Sequence, residues 1–210
     1  MPADYSRKSI ESQWFFSSSI TLTNVSGVGG TTTLNTLEKR FGRFLRYVSG
    51  GRINRRFAEQ LGMKIEPFVE HKRLHPEERW DAKCDEEIAQ EGKSNNVIVE
   101  GRVPHIFSSH SCHILLTCPL TLRAERRQGR DPEYSHLSVE EVARLIDDRD
   151  RNDLENYALL YPGSNWLPED FDAQIDTSTW NPEQVVDEII QQHTAWRTRN
   201  RARIIYDKRY

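Results

Sequence analysis

The chain has 210 residues, with 29 Lys and Arg against 32 Asp and Glu (formal charge -3) and 36% hydrophobic residues. That length fits one domain with its own core, and the near-neutral balance excludes a global pull toward nucleic acid or an anionic membrane, so any anion site must be local. No apolar run approaches the roughly 18 residues of a membrane span, residues 1–19 lack the apolar region of a signal peptide, and Cys84, Cys112 and Cys118 show no metal or CxxC spacing. These features predict a soluble, cytoplasmic protein with reduced thiols and no membrane or nucleic-acid partner.

In chain order, "SITLTNV" (19–25) alternates Ile20, Leu22 and Val25 around threonines and runs into glycine, which predicts a short strand ending in a turn. "TTTLNTLEKRFG" (31–42) reads as a helix with Leu34, Leu37 and Phe41 on one side and Gly42 as its stop. "RFLRYVSGG" predicts a second strand and turn, followed by a helix over 52–62. "HPEERWDAKCDEEIAQEG" (75–92), with proline in its first turn and glycine at its end, is read as one helix. "NVIVEGR" (96–102) is a continuous apolar run expected of a buried parallel strand, and "CHILLTCPL" is another. Helices are expected in "PLTLRAERRQG", "SVEEVARLIDDRDRNDLENYALLY" and "NPEQVVDEIIQQHTAW", with a last strand in "FDAQIDTS". This alternation predicts a three-layer α/β domain with about five parallel strands flanked by helices.

The stretch "TNVSGVGGTTTL" (23–34) places Gly27, Gly29 and Gly30 between a strand and a helix and follows them with Thr31, Thr32 and Thr33. Successive amides in such a loop, ending at a helix N-terminus, form an anion nest. The familiar pattern is G-x-x-x-x-G-K-[ST], and here no lysine follows the glycines. With Gly29 as the last glycine of the motif, Asn24 takes the first glycine's place, Gly30 the lysine's, and Thr31 the Mg²⁺-binding hydroxyl. With Gly30 as the last glycine, Val25 falls at the first position. The first register is preferred because asparagine tolerates a positive φ and valine does not.

The order and spacing of "NVSGVGGTTT", "YVSGGRINRRFAEQLGM", "NNVIVEGRVP", "CPLTLRAERRQGR", "IDDRDRNDLENYALLYP" and "FDAQIDTSTWNPEQVVDEII" resemble the cytidylate-kinase-like family of P-loop nucleoside monophosphate kinases. The likeness runs from about Ile20 to Ile190, and members of that group often carry threonine, serine or glycine in place of the loop lysine. The resemblance implies a P-loop fold with a helical lid and a monophosphate-binding insert. It also implies transfer of the ATP γ-phosphoryl group to CMP or dCMP, with Mg²⁺ as cofactor and ATP and a nucleoside monophosphate as partners. Phosphoryl transfer needs positioning and charge neutralisation more than covalent chemistry, which agrees with the arginines this chain supplies.

By that resemblance the ATP phosphates lie against Gly27, Val28, Gly29, Gly30, Thr31 and Thr32, with Thr31 holding Mg²⁺. Arg55 grips the acceptor phosphate, whereas Arg52 and Arg56 read as a solvated helix face. Glu100 organises Mg²⁺ through water, and Arg102 contacts the acceptor. Arg123, Arg126 and Arg127, with Arg149 or Arg151 returning from the next helix, close over the phosphates as a lid (about 123–152), or else form a basic surface balanced by Asp147, Asp148 and Asp150. Asp81 and Asp85 are either acceptors for the base amino group or solvated carboxylates. The kinase domain is placed at 19–195, with extensions at 1–18 and 196–210.

Two expected cations are missing: the loop lysine, and a second lid arginine near Tyr157, where Asp153 or Asn156 stands. Two further readings therefore stay open. One is a kinase of this fold with another small acceptor such as AMP, and the other is a nucleotide-binding protein without turnover. "HIFSSHSCH" (105–113) has no common zinc spacing, Trp80, Trp166 and Trp180 are assigned to core or lid surfaces, and the basic tail reads as a helical extension.

Overall fold

The computed structural model describes residues 18–108, 110–162 and 167–200, apart from the side chain of Glu66. The N-terminal extension before Ser18, Ser109, Trp166 and the last ten residues of the basic tail lie outside them.

Five parallel strands form one sheet: β1 (Ser19–Thr23), β2 (Arg46–Ser49), β3 (Val97–Gly101), β4 (Ser111–Thr117) and β5 (Ala173–Asp176), in the spatial order β2-β3-β1-β4-β5. Helix α1 (Gly30–Phe41) follows β1. Three helices, α2 (Gly50–Gln60), α3 (Ile65–Leu74) and α4 (Trp80–Gly92), lie between β2 and β3. Between β4 and β5 come α5 (Leu120–Arg130) and the long α6 (Val139–Leu160), and α7 (Pro182–Arg199) closes the described chain.

The alternation of side chains along each strand builds the three layers. Ile98 points into a cluster with Ile20, Leu22, Leu34, Leu37, Ile114 and Ile189, beneath α1 and α7. Its neighbours Val97 and Val99 point the other way, into a cluster with Ile53, Phe57, Phe68 and Ile88 from α2, α3 and α4. Each fully buried aliphatic side chain of this kind contributes about 1.5–3 kcal/mol relative to exposure. A smaller cluster of Ala124, Val142 and Ile146 joins α5 to α6.

Two local expectations are corrected. Helix α3 falls in a stretch not assigned to any element, and the single helix expected over 75–92 is divided. A 3₁₀ turn covers Pro76–Glu78, Arg79 adopts a left-handed conformation (φ 55°), and α4 begins only at Trp80. The break turns the Trp80 ring onto Phe57 and Phe68, at centroid separations of 5.2 and 5.7 Å. Burial of an aromatic surface thus outweighs the local cost of a positive φ. At the C-terminal end the helix continues through Trp196, which is buried against the main core.

Candidate active site

The strand register brings the polar ends of three strands together. Glu100, near the carboxyl end of β3, pairs with Leu22 of β1 on one side and Ser49 of β2 on the other. The Ser49 hydroxyl donates to Glu100 Oε2 at 2.6 Å while accepting from the amide of Arg52 as the cap of α2. The Asn24 Nδ2 donates to Glu100 Oε1 at 2.8 Å. A buried carboxylate with a neutral donor on each oxygen keeps its direction without being neutralised by an ion pair.

The glycine loop follows directly. Gly27 and Gly29 have φ of 84° and 97°, which glycine adopts without the steric cost other residues meet. Helix α1 starts at Gly30 with no side-chain cap and no acidic residue in its first turn, so its leading amides are available to an anion. The hydroxyl of Thr31, half-buried in that turn, bonds to no described residue. Among the described residues Arg79 and Asn96 are the non-glycine positions with positive φ, so Asn24 does not use the left-handed conformation for which asparagine was preferred there.

The start of the loop (Asn24 and Ser26), the β3 end and the two helical insertions surround a cleft of about 500 Å³, and Gly27, Val28, Gly29, Gly30, Thr31 and Thr32 are not in its lining. Asn24, Glu100, Arg102, Arg55, Arg127, Arg149 and Asp85 all border it. Arg55 bonds only to the carbonyl of its own Gly51, at 3.3 Å, and Arg149 pairs with no described residue. Arg52 pairs with Glu38 at 2.5 Å, and Arg56 with Glu87, on the exposed face of α2.

Three of the four arginines of α5 go to three places. Arg123, 8% exposed, donates its Nε to the carbonyl of Ser26 at 2.7 Å and pairs with Asp150 of α6. Arg126 turns away from the cleft and donates to the Thr177 carbonyl at 2.7 Å, while the Thr177 hydroxyl donates to the loop carbonyl of Val28, also at 2.7 Å. Arg127 reaches the cleft but pairs with Asp131 at 2.7 Å. Arg151 faces solvent beside Asp147 and Asp148.

Arg102 is also engaged. Its guanidinium lies 2.9 Å from Asp153 and 3.3 Å from Asp150, and it donates to the Asn24 carbonyl at 3.2 Å. The Asp153 position, where a second lid arginine is expected, instead holds a partner for one.

On the opposite wall, the buried Asp85 accepts a hydrogen bond from Tyr161 at 2.7 Å. Burial raises its pKa to about 6, the Tyr161 bond opposing the rise. Asp81 pairs with Lys72, whose ammonium also donates to Asn54 at 3.2 Å. Lys72 sits on α3, and without that helix the sequence offered no reason to bring it to the cleft. The bond of Asn24 to Glu100 and the contributions of Ser49 and Tyr161 were not legible either, because these contacts cross 76, 51 and 76 positions of chain.

The histidine stretch is absorbed by packing. Thr23 holds His105 at 3.0 Å and Thr21 holds His113 at 2.8 Å, and burial lowers the pKa of both imidazoles, that of His105 to about 4. The three cysteines are free thiols. Among the described residues no helix is long and apolar enough to cross a membrane.

The AAA domain family matches residues 20–147. Cytidylate kinase of Pyrococcus abyssi is 34% identical over 79% of this chain and 88% of its own, and that of Pyrococcus horikoshii is 32% identical over 79% and 83%. Among solved structures, shikimate kinase from Acinetobacter baumannii superposes with a TM-score of 0.59 over 86% of this chain and 95% of its own, at 18% identity, a likeness of fold. The 2-3-1-4-5 parallel sheet, the glycine loop after its central strand and this extent of shared sequence agree: the chain belongs to the cytidylate kinase family of P-loop nucleoside monophosphate kinases.

Proposed function

We propose that the protein transfers the γ-phosphoryl group of ATP to a pyrimidine nucleoside monophosphate, CMP or dCMP. The observation that carries this reading is the convergence on one cleft of Asn24 and Ser26 at the start of the glycine loop, the buried Glu100 and the arginines Arg55, Arg102, Arg127 and Arg149. In it, residues 27–32 cradle the ATP phosphates. Arg55 and Arg102 take the acceptor phosphate through planar, two-pronged contacts, and Arg149 meets the transferring group. Asp85 faces the base, with Tyr161 fixing its carboxylate.

The kinase domain is read as 19–195, with α5 and the first half of α6 (about 123–152) as the lid and α2–α4 as the monophosphate-binding insert. Within that lid Arg123 and Arg126 are positioning residues, since each is held against a carbonyl next to or within the loop rather than facing the cleft.

The donors at the loop corner fit Mg²⁺. Thr31 has an uncommitted hydroxyl, a hard oxygen ligand of the kind the small cation takes, and Glu100 has a carboxylate whose direction is held and which would act on the cation through water. When bound, the metal neutralises phosphate charge. The chain's own contribution is to orient the acceptor, supply arginine charge and exclude water.

A second reading, nucleotide binding without turnover, is favoured by one observation: Arg102 is taken up by Asp150 and Asp153 while Gly30 supplies no charge. A coupled ADP-release assay with ATP and Mg²⁺ across CMP, dCMP, UMP, AMP and GMP separates the readings. Turnover with CMP or dCMP that is lost in Arg102→Ala is the expected result. Turnover confined to another acceptor would replace the substrate, and ATP binding with no turnover would leave the second reading.

A further inference from the structure

A β-carbon added to Gly30 would lie 2.6 Å from both Cγ and Nδ2 of Asn24, and 2.7 Å from its Oδ1. These are distances at which something must move. The Asn24 carboxamide is not the free end of a flexible chain. Its Nδ2 donates to the Leu22 carbonyl at 3.2 Å and to Glu100 at 2.8 Å. Its backbone amide donates to the Gly101 carbonyl at 3.0 Å, and its own carbonyl receives Arg102 at 3.2 Å. Anchoring at both backbone and side chain means that Asn24, 8% exposed, can yield to a neighbour only by giving up these bonds.

We propose that Asn24 and Gly30 form one interdependent pair, in which the Asn24 carboxamide fills the space of the side chain that position 30 lacks and acts as the positioning residue for Glu100. This rests on the kinase reading of the site and deepens it. A lysine at position 30 and an asparagine at position 24 compete for the same volume, so the loop holds one or the other. With asparagine in place the loop trades a cation for a fixed neutral donor. Nδ2 holds the buried carboxylate in line with the cleft, and Ser49 holds its other oxygen. Positive charge for the phosphates then comes from the arginines across the cleft.

The test is a double-mutant cycle over Asn24→Gly and Gly30→Ala, read by thermal unfolding of the full chain, together with Gly30→Lys in both backgrounds, read by calorimetric titration with ATP. Gly30→Ala is expected to lower Tm by about 5 °C in the parent chain and by less than about 2 °C in the Asn24→Gly background. Gly30→Lys combined with Asn24→Gly is expected to bind ATP roughly tenfold tighter than the parent chain, the gain a charged hydrogen bond can supply. Equal Tm losses in both backgrounds would overturn the pairing. Coupling in Tm with no ATP binding by the parent chain would keep the pairing and sink the kinase reading instead.

Positioning of Glu100 is read separately with Asn24→Ala, which removes the Nδ2 donor: kcat should fall about tenfold while KM for the acceptor stays within about twofold, the loss of one hydrogen bond to a charged group. An unmoved kcat would overturn the positioning role.

Discussion

Asp150 stands between two arginines from different parts of the chain: its Oδ2 pairs with Nη2 of Arg123, and its Oδ1 lies 3.3 Å from Nη2 of Arg102. Through Arg123 it reaches the carbonyl of Ser26, and through Arg102 that of Asn24. One carboxylate on α6 therefore ties the helical insertion to both the glycine loop and the β3 end. Asp150 and Arg123 are each 8% exposed, so removing one partner strands the charge of the other. Asp150→Ala should cost about 3–5 kcal/mol, and urea unfolding measures it. A loss within about 1 kcal/mol, the range of exposed pairs, would mean the pair is solvated in solution.

Arg149 offers the contrast. It borders the cleft, is exposed and pairs with no described residue. In the proposed reaction Arg149→Ala should lower kcat by roughly a hundredfold or more while leaving the unfolding midpoint in place. Steady-state kinetics beside a melting curve checks it. Unchanged kcat would remove Arg149 from the transferring group.

The acceptor arginine carries a built-in competitor. Asp153 lies 2.9 Å from Arg102, both side chains being less than a third exposed. An incoming phosphate must displace that carboxylate, so Asp153→Asn should lower KM for the acceptor several-fold, most strongly at low salt, where a surface carboxylate competes best. A KM that does not move would show that Arg102 releases Asp153 at no cost.

The two left-handed glycines of the loop should respond differently to the same change. At Gly27 (φ 84°) an added β-carbon would lie 2.9 Å from both Cβ and the carbonyl oxygen of Arg123, whereas at Gly29 (φ 97°) nothing lies within 4 Å. Gly29→Ala should cost only the left-handed strain of about 1–2 kcal/mol. Gly27→Ala adds a backbone clash and should cost more and weaken ATP binding. Equal losses in chemical denaturation would refute the distinction.

Asp85 gives a pH dependence of defined sign. Its pKa rises on folding from 3.8 to about 6, burial outweighing the Tyr161 hydrogen bond. Its protonated form is the one the fold prefers. The stability it contributes is therefore full below about 4 and is lost as pH rises to about 6. Asp85→Asn, which keeps an acceptor for Tyr161, should be less sensitive to pH across that window and gain about 2–3 kcal/mol on the wild type by about pH 7. Parallel melting curves at about pH 4 and pH 7, on either side of that window, decide it.

Much of the sheet was legible in the chain because it depends on local patterning. "VIVEG" is apolar on both faces and lies buried between two neighbours, and Gly27 and Gly29 of the loop adopt a left-handed backbone that favours glycine. Glu100 was legible for a related reason: a carboxylate ending an apolar run must find donors. Helix α3 was not, because its pattern is weak and its place depends on Phe68 packing under Trp80. With it went Lys72.

By itself the sequence determined the alternation of strands and helices, the strand–glycine–helix loop, the missing lysine and the supply of arginines. These follow from side-chain periodicity and backbone sterics within short windows. Only the tertiary structure decided which arginines face the cleft and which brace it, that Asp153 meets Arg102, and that the Asn24 carboxamide lies over Gly30. Helical spacing places Arg123, Arg126 and Arg127 within one turn or so of each other. The destinations of Arg123 and Arg126 depend on a serine carbonyl and a threonine reached only when distant segments pack, whereas Arg127 pairs with Asp131 four residues on.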